Sequence, residues 1–133
     1  MCLVRNDSVK ITGDSVWKIL WVNLNGVSSI FYPHMWKPGW HLCHYYDLNA
    51  GTFVHNGFHT YLNKEDAENT LNKIKSFYSI GSGCLITAGL TFDLKDLVAT
   101  GLGQFDHTKQ AVFKRLHLSQ EEYDGVLLRR QRQ

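Results

Sequence analysis

Alternating apolar and polar positions mark the first strands of this chain. Ser15-Val16-Trp17-Lys18-Ile19-Leu20-Trp21-Val22 is rich in β-branched and aromatic residues and reads as extended. Asn23-Leu24-Asn25-Gly26 follows with an Asn-Gly hairpin signal, and Val27 to Tyr32 supplies the returning strand. Pro33, Pro38 and Gly39 then punctuate an aromatic loop that carries Met35 and Trp36, after which Trp40 to Tyr46 reads as a strand. Asp47 to Gly51 is a turn cluster, and Thr52 to Tyr61 is extended with a break at Asn56-Gly57.

Beyond Tyr61 the period changes from two to 3.6. Ala67, Leu71, Ile74 and Tyr78 fall on one stripe of a helix predicted from about Lys64 to Tyr78, with Asn63 as N-cap and Asp66 three residues on. Glu65, Asp66 and Glu68 sit near its positive end, and Lys73 and Lys75 near its negative end. After Gly81-Ser82-Gly83 the chain returns as a strand from Cys84 to Phe92. Leu94 to Thr100 fits either class, Gly101-Leu102-Gly103 reads as a turn, and Ala111 to Leu118 as a late strand. Ser119 and Glu122 form a capping-box pattern, which predicts a short helix from Gln120 to Leu128, interrupted or ended around Gly125. Strands, one helix and more strands predict a single α+β domain over residues 1–133. Its sheet should be mostly antiparallel, with the main helix packed on one face against Trp17, Ile19, Trp21 and Phe58, and with a short C-terminal helix.

Composition adds limits. A chain of 133 residues that is 44% hydrophobic buries enough surface to fold without a disulfide, metal or cofactor, so none is expected. The net charge of +2 comes from Arg129, Arg130 and Arg132, without which 11 basic residues face 12 acidic ones. That balance argues against a nucleic-acid coat, and any contact with nucleic acid is expected only through those three arginines. No run approaches the length of a membrane span, and the first residues lack the pattern of a secretory signal. Three widely spaced cysteines, Cys2, Cys43 and Cys84, suit reduced thiols better than a disulfide framework, so a cytoplasmic setting is expected.

Five of the seven histidines, His34, His41, His44, His55 and His59, lie within one short stretch that also holds Cys43. Such density raises a metal hypothesis with His41, Cys43, His44 and His59 as candidate ligands. Geometry weighs against it. On one strand His41 and Cys43 share a face while His44 points the other way, and the His55–His59 spacing chelates on a helix, whereas Asn56-Gly57 makes this segment extended or turned. The plainer expectation is imidazoles packed among aromatics, with no metal. Cys43 beside an imidazole is also a candidate nucleophile, although free cysteines more often fill cores. Cys2 would become an amino-terminal thiol if Met1 were removed, but no amidotransferase-like pattern follows it. The segment singled out for binding a protein partner is the aromatic loop, through Tyr32, His34, Met35, Trp36, Trp40 and Tyr45. Aromatics and Met bury large area at small entropic cost, and the prolines prestiffen the loop.

Met1-Cys2-Leu3, the strand from Val16 to Val22, and Gly57-Phe58-His59 just before the Glu65-Asp66-Ala67 helix together resemble a group of small uncharacterised bacterial and phage proteins. That resemblance implies a phage or bacterial setting, hence the cytoplasm of a host cell, and supplies no catalytic residue. A strand ending in a Gly-aromatic-His element and entering a helix is also similar to the split sheet of ADP-ribosyltransferase-like folds. Neither an Arg, Ser and Glu triad nor a His, Tyr and Glu set can be placed here, so that likeness is one of fold alone. Two expectations result. One is a non-enzymatic binding protein that modulates a host factor, for example a defence protein, through the aromatic loop. The other is a small metal-dependent or nucleotide-directed enzyme or ligand-binding domain built on the His/Cys cluster. No complete catalytic set is present, which weighs for the binder and leaves enzymatic activity open.

Overall fold

Strand β2 (Ser15–Asn23) organises the architecture. In the computed structural model, which describes residues 2–30, 34–47, 51–77 and 83–131, it is the longest strand, preceded by β1 (Leu3–Arg5). There follow β3 (Gly26–Ser29), β4 (Met35–Trp36), β5 (Gly39–Leu42), β6 (Phe53–Val54) and β7 (Phe58–Tyr61). Helix α1 (Lys64–Ile74) and a 3-10 turn over 75–77 come next, then β8 (Cys84–Thr91), a 3-10 turn over 94–96, β9 (Leu97–Gly103), β10 (Lys109–Phe113), β11 (Arg115–Leu118) and α2 (Gln120–Gln131). This is an α+β fold with two helices, and every strand pairing among the described residues is antiparallel. The sheet runs β5-β11-β8-β2-β7-β10-β9-β1-β6, with β3 pairing β2 and β4. No helix among the described residues is long and apolar enough to cross a membrane.

Alternation along β2 sends Val16, Leu20 and Val22 to the main core with Ile86, Ala88 and Leu90 of β8, Phe113 of β10, Leu116 of β11 and Val126 of α2. Trp17, Ile19 and Trp21 face the other way, where Ala67, Leu71 and Ile74 of α1 cover them with Tyr61 and Leu85. The expected stripe therefore packs as its spacing predicts, except at two positions. Phe58 belongs to the main core on the opposite face, because Tyr61, which pairs with Trp17, sets the phase of β7 and leaves Phe58 out of step with it. Tyr78, with Met1, Phe31–Pro33, Gly81 and Ser82, lies outside the described residues. A third cluster, Leu3, Val54, Ala99 and Val112, closes the far edge.

The structure corrects several expected boundaries. The hairpin turns through Leu24 and Asn25, whose N–H bonds Asn23 Oδ1 at 2.8 Å, and Gly26 takes φ of 128°, so Gly26 already pairs with Asn23. Gly101-Leu102-Gly103 is strand: Gly101 lies between β1 and β10, where a Cβ would strike the Val4 carbonyl, and the turn comes later with His107 at φ 57°. The late strand breaks at Lys114 into β10 and β11. The strand expected from Trp40 to Tyr46 stops at Leu42. Helix α2 runs through Gly125, since one helical glycine costs about 1 kcal/mol, which the packing of Val126 readily offsets. Ser119 Oγ accepts the Glu122 N–H at 3.0 Å, but the Glu122 carboxylate does not complete the box; it accepts the Gly89 N–H and pairs with Arg129.

Candidate functional site

The two edges of β2 are unequal. One pairs with β8 without interruption, from Ser15↔Thr91 to Val22↔Cys84. The other is shared by two strands: β7 meets it only at Trp17↔Tyr61, and β3 takes over from Leu20↔Ser29 to Asn23↔Gly26. Lys18 and Ile19 lie in the fork between them. A partly open cavity of about 240 Å³ occupies this gap. It is lined from the α1 side by Ile19, Tyr61, Thr70 and Ile74, and from the opposite side by Cys43, Tyr45 and Phe58, with His55 to Gly57 and His59 along β7 and its approach.

Lys18 follows the inward phase of Val16, Leu20 and Val22, so the strand pattern itself drives a cation inside. Its Nζ donates to the His59 carbonyl at 2.8 Å. Among the described residues no carboxylate lines the cavity, and Lys18 forms no ion pair with any of them. Burial lowers its pKa to about 8, with partial opposition from the nearby Cys43. His59 is the second feature. Its Nε2–H donates to the His55 carbonyl at 2.9 Å, which leaves Nδ1 a bare acceptor, buried with no partner among the described residues. Burial pushes the His59 pKa down to about 4; the His55 carbonyl opposes this and the Lys18 charge reinforces it. Tyr61 is pushed up to about 12 by burial and by the Asp106 carboxylate.

The histidine-rich segment is dispersed around this cavity. Cys43 and His59 reach it. The Cys43 thiol donates to the Tyr45 carbonyl at 3.1 Å. His41 does not line it: its Nε2–H donates to the Lys37 carbonyl at 2.6 Å, and its Nδ1 accepts from His34 Nε2 at 2.8 Å. His34 is held at a pKa of about 4 by burial first and then by the charges of His41, Lys18 and His44. His44 is exposed. No group of three or more His, Cys, Asp or Glu among the described residues is arranged to hold a metal. His55, exposed at the mouth, has its Nε2 3.9 Å from the Cys2 sulfur.

The residues expected to grip a partner also separate. Trp36 is 0% exposed: it pairs Val27, its indole donates to Ser29 Oγ at 2.9 Å, and it packs on His34 and Phe58. It is a core residue and presents no surface. Met35 (47% exposed), Trp40 (51%) and Tyr45 (69%) remain outside, and Tyr32 lies outside the described residues. Trp40 stacks under the Arg115 guanidinium at 4.3 Å and beside His117. Of the three tail arginines, Arg129 is paired with Glu122 at 3.1 Å, Arg130 sits in the last turn of α2, and Arg132 lies outside the described residues.

Lys18 was not among the candidate residues drawn from the sequence. Its signal was present: a lone charge at an inward position of an apolar strand. Compared with known proteins, the chain matches no family model, no curated protein and no solved structure.

Proposed function

We propose that this protein binds a small, mainly apolar molecule carrying one oxygen acceptor, held in the fork of the sheet with that oxygen at Lys18. One observation carries the reading: the half-buried Lys18, whose ammonium bonds only a backbone carbonyl among the described residues, lines a cavity with no carboxylate among its described lining residues. A charge withdrawn from water with no opposite charge beside it is costly, and a ligand oxygen would supply the missing partner. The size is adequate, since an apolar cavity of about 150 Å³ already accepts benzene, and the fork offers about 240 Å³. Ile19, Ile30, Phe58 and Ile74 provide the apolar walls, while Lys18, Thr70 and Tyr61 provide the few polar groups that orient a guest.

Benzyl alcohol is a suitable probe. Titrated into methyl-labelled protein, it should shift the Ile19, Ile30 and Ile74 resonances and leave Ile11 and Ile86 in place. The shifts should disappear in Ile74→Trp, whose indole fills the cavity. Absence of shifts in the parent protein, or shifts unchanged in Ile74→Trp, would remove the proposal.

A second reading, capture of a protein partner, is favoured by one feature. β5 ends the sheet, and Trp40 and Leu42 on it are each about half exposed. An unpaired strand edge bearing apolar side chains is a template for another chain. A host protein is the partner that the phage resemblance implies.

A further inference from the structure

We propose that Lys18 is a nucleophile, and that the fork cavity takes an aldehyde or ketone whose carbonyl carbon the Lys18 amine attacks to form an imine. This rests on the small-molecule reading above and names the chemical class of the guest.

The geometry supplies what the step needs. Lys18 lines the cavity, and among the described residues its Nζ bonds only the His59 carbonyl, at 2.8 Å, so no side chain among them occupies the nitrogen. A carboxylate neighbour would lock the nitrogen as ammonium, and none is present among the lining residues. The apolar walls disfavour the charged amine, which is how buried lysines become nucleophiles near neutral pH. The pKa of about 8 agrees with this surrounding. The groups that bear on Lys18 are Cys43 from the segment after β5, His59 on β7 and His34 before β4. Both histidines are neutral above about pH 4 and so do not compete for charge near neutrality.

The step balances without a redox partner. The lone pair of the free amine forms the C–N bond while the carbonyl π pair moves to oxygen. The two amine hydrogens leave with that oxygen as one water, and the C=N bond forms. Cys43 is the competing nucleophile in the same cavity, but its S–H is engaged by the Tyr45 carbonyl.

The test uses the full chain with benzaldehyde and sodium cyanoborohydride, which fixes any imine as a secondary amine. Peptide mass spectrometry then reads where the benzyl group sits among the nine lysines. Lys18 should be labelled about tenfold or more faster than the other lysines at pH 7.5, with a rate that rises through a midpoint near pH 8. Lys18→Met should lose only this label, and Lys18→Arg, which keeps the charge, should lose it too, each with its melting curve recorded to show that it folds. Even labelling across all lysines, a label on Cys43, or an unlabelled Lys18 would overturn the proposal. Benzyl alcohol separates the two readings: if it shifts the cavity methyls while benzaldehyde leaves Lys18 unlabelled, binding stands and the imine falls. If neither compound is taken up, both fall.

Discussion

The two edges of β2 show how one strand can be both a continuous foundation and the wall of a cavity. Along the β8 edge every residue from Ser15 to Val22 has a partner, and the side chains are fitted to it: the Trp17 indole lies over Gly89, and the Trp21 indole over Gly83. Beyond the reach of β11, which meets β8 only at Thr91, the outer side of β8 is closed by α2, whose Glu122 carboxylate accepts the Gly89 N–H at 3.2 Å. Along the opposite edge, pairing changes hands between β7 and β3, and the fork is left to side chains. The continuous edge leaves no room and no unmet polar group at Gly89. The divided edge holds a cavity, the half-buried Lys18 ammonium and His59 Nδ1, which has no partner among the described residues. Space and unmet polar groups collect where ladder hydrogen bonds are given up, because there the backbone opens without losing the rest of the sheet.

The largest way to break this contrast is Gly89→Val. A Cβ there would stand 2.8 Å from the Trp17 ring, so the indole must leave its bed between β8 and the Lys64 ammonium, which lies 5.4 Å from its centre. The expected loss is about 3 kcal/mol, as for overpacked cores, read as a lower denaturation midpoint at unchanged slope. Fork binding of benzyl alcohol should weaken only in proportion to unfolding. A selective loss of binding in the folded fraction would mean that the two edges are not independent.

Acid is the next lever, and it acts on the divided edge. His59 and His34 both have folded pKa values near 4, below the unfolded value of 6.5, so between those limits the unfolded chain holds more protons. Stability is therefore full above about pH 6.5 and is lost as the pH falls through 4. The combined loss should be about 2 kcal/mol, after discounting for the partial exposure of both rings. In His59→Phe the slope of stability against pH over this window should shrink. An unchanged slope would show that the ring is already solvated and that Nδ1 is not confined.

The sheet was legible in the residues because alternation and turn chemistry act locally. Val16 to Val22, the Asn56-Gly57 break and the Ala67-Leu71-Ile74 stripe each declare their faces within a few positions. The cavity was not legible in the same way. Its walls come from β2, β3, β7, α1 and the Cys43 segment, and the fork depends on where β7 hands over to β3, a register that no local pattern specifies. Histidine density drew attention to residues 34–59, yet it is topology that brings Cys43 and His59 to the cavity, pairs His41 with His34, and leaves His44 in solvent. Trp36 misled for a related reason: flanked by prolines it reads as loop, but its pairing with Val27 turns it into the core. Lys18 could have been found by asking which charge falls on the inward phase of the best strand.

The smallest expected effect comes from Trp40→Ala, and it sharpens the contrast from outside. Trp40 lies on β5, at the end of the sheet on the β8 side of β2, stacked on an Arg115 that Asp96 already holds at 2.9 Å. Half its surface is exposed, so truncation should cost no more than about 1 kcal/mol and leave both benzyl alcohol binding and the acid slope at their parent values. Those three measurements together test whether the fork is self-contained. Any fall in fork affinity would show that it is not, and would link the edge strand to the cavity. The same variant carries the partner-capture reading, since a protein that pairs with β5 must cover this indole. A specific host protein retained by the parent chain and lost by Trp40→Ala would establish β5 as a docking edge. Retention undiminished by the substitution would leave the fork as the sole site with a physical argument behind it.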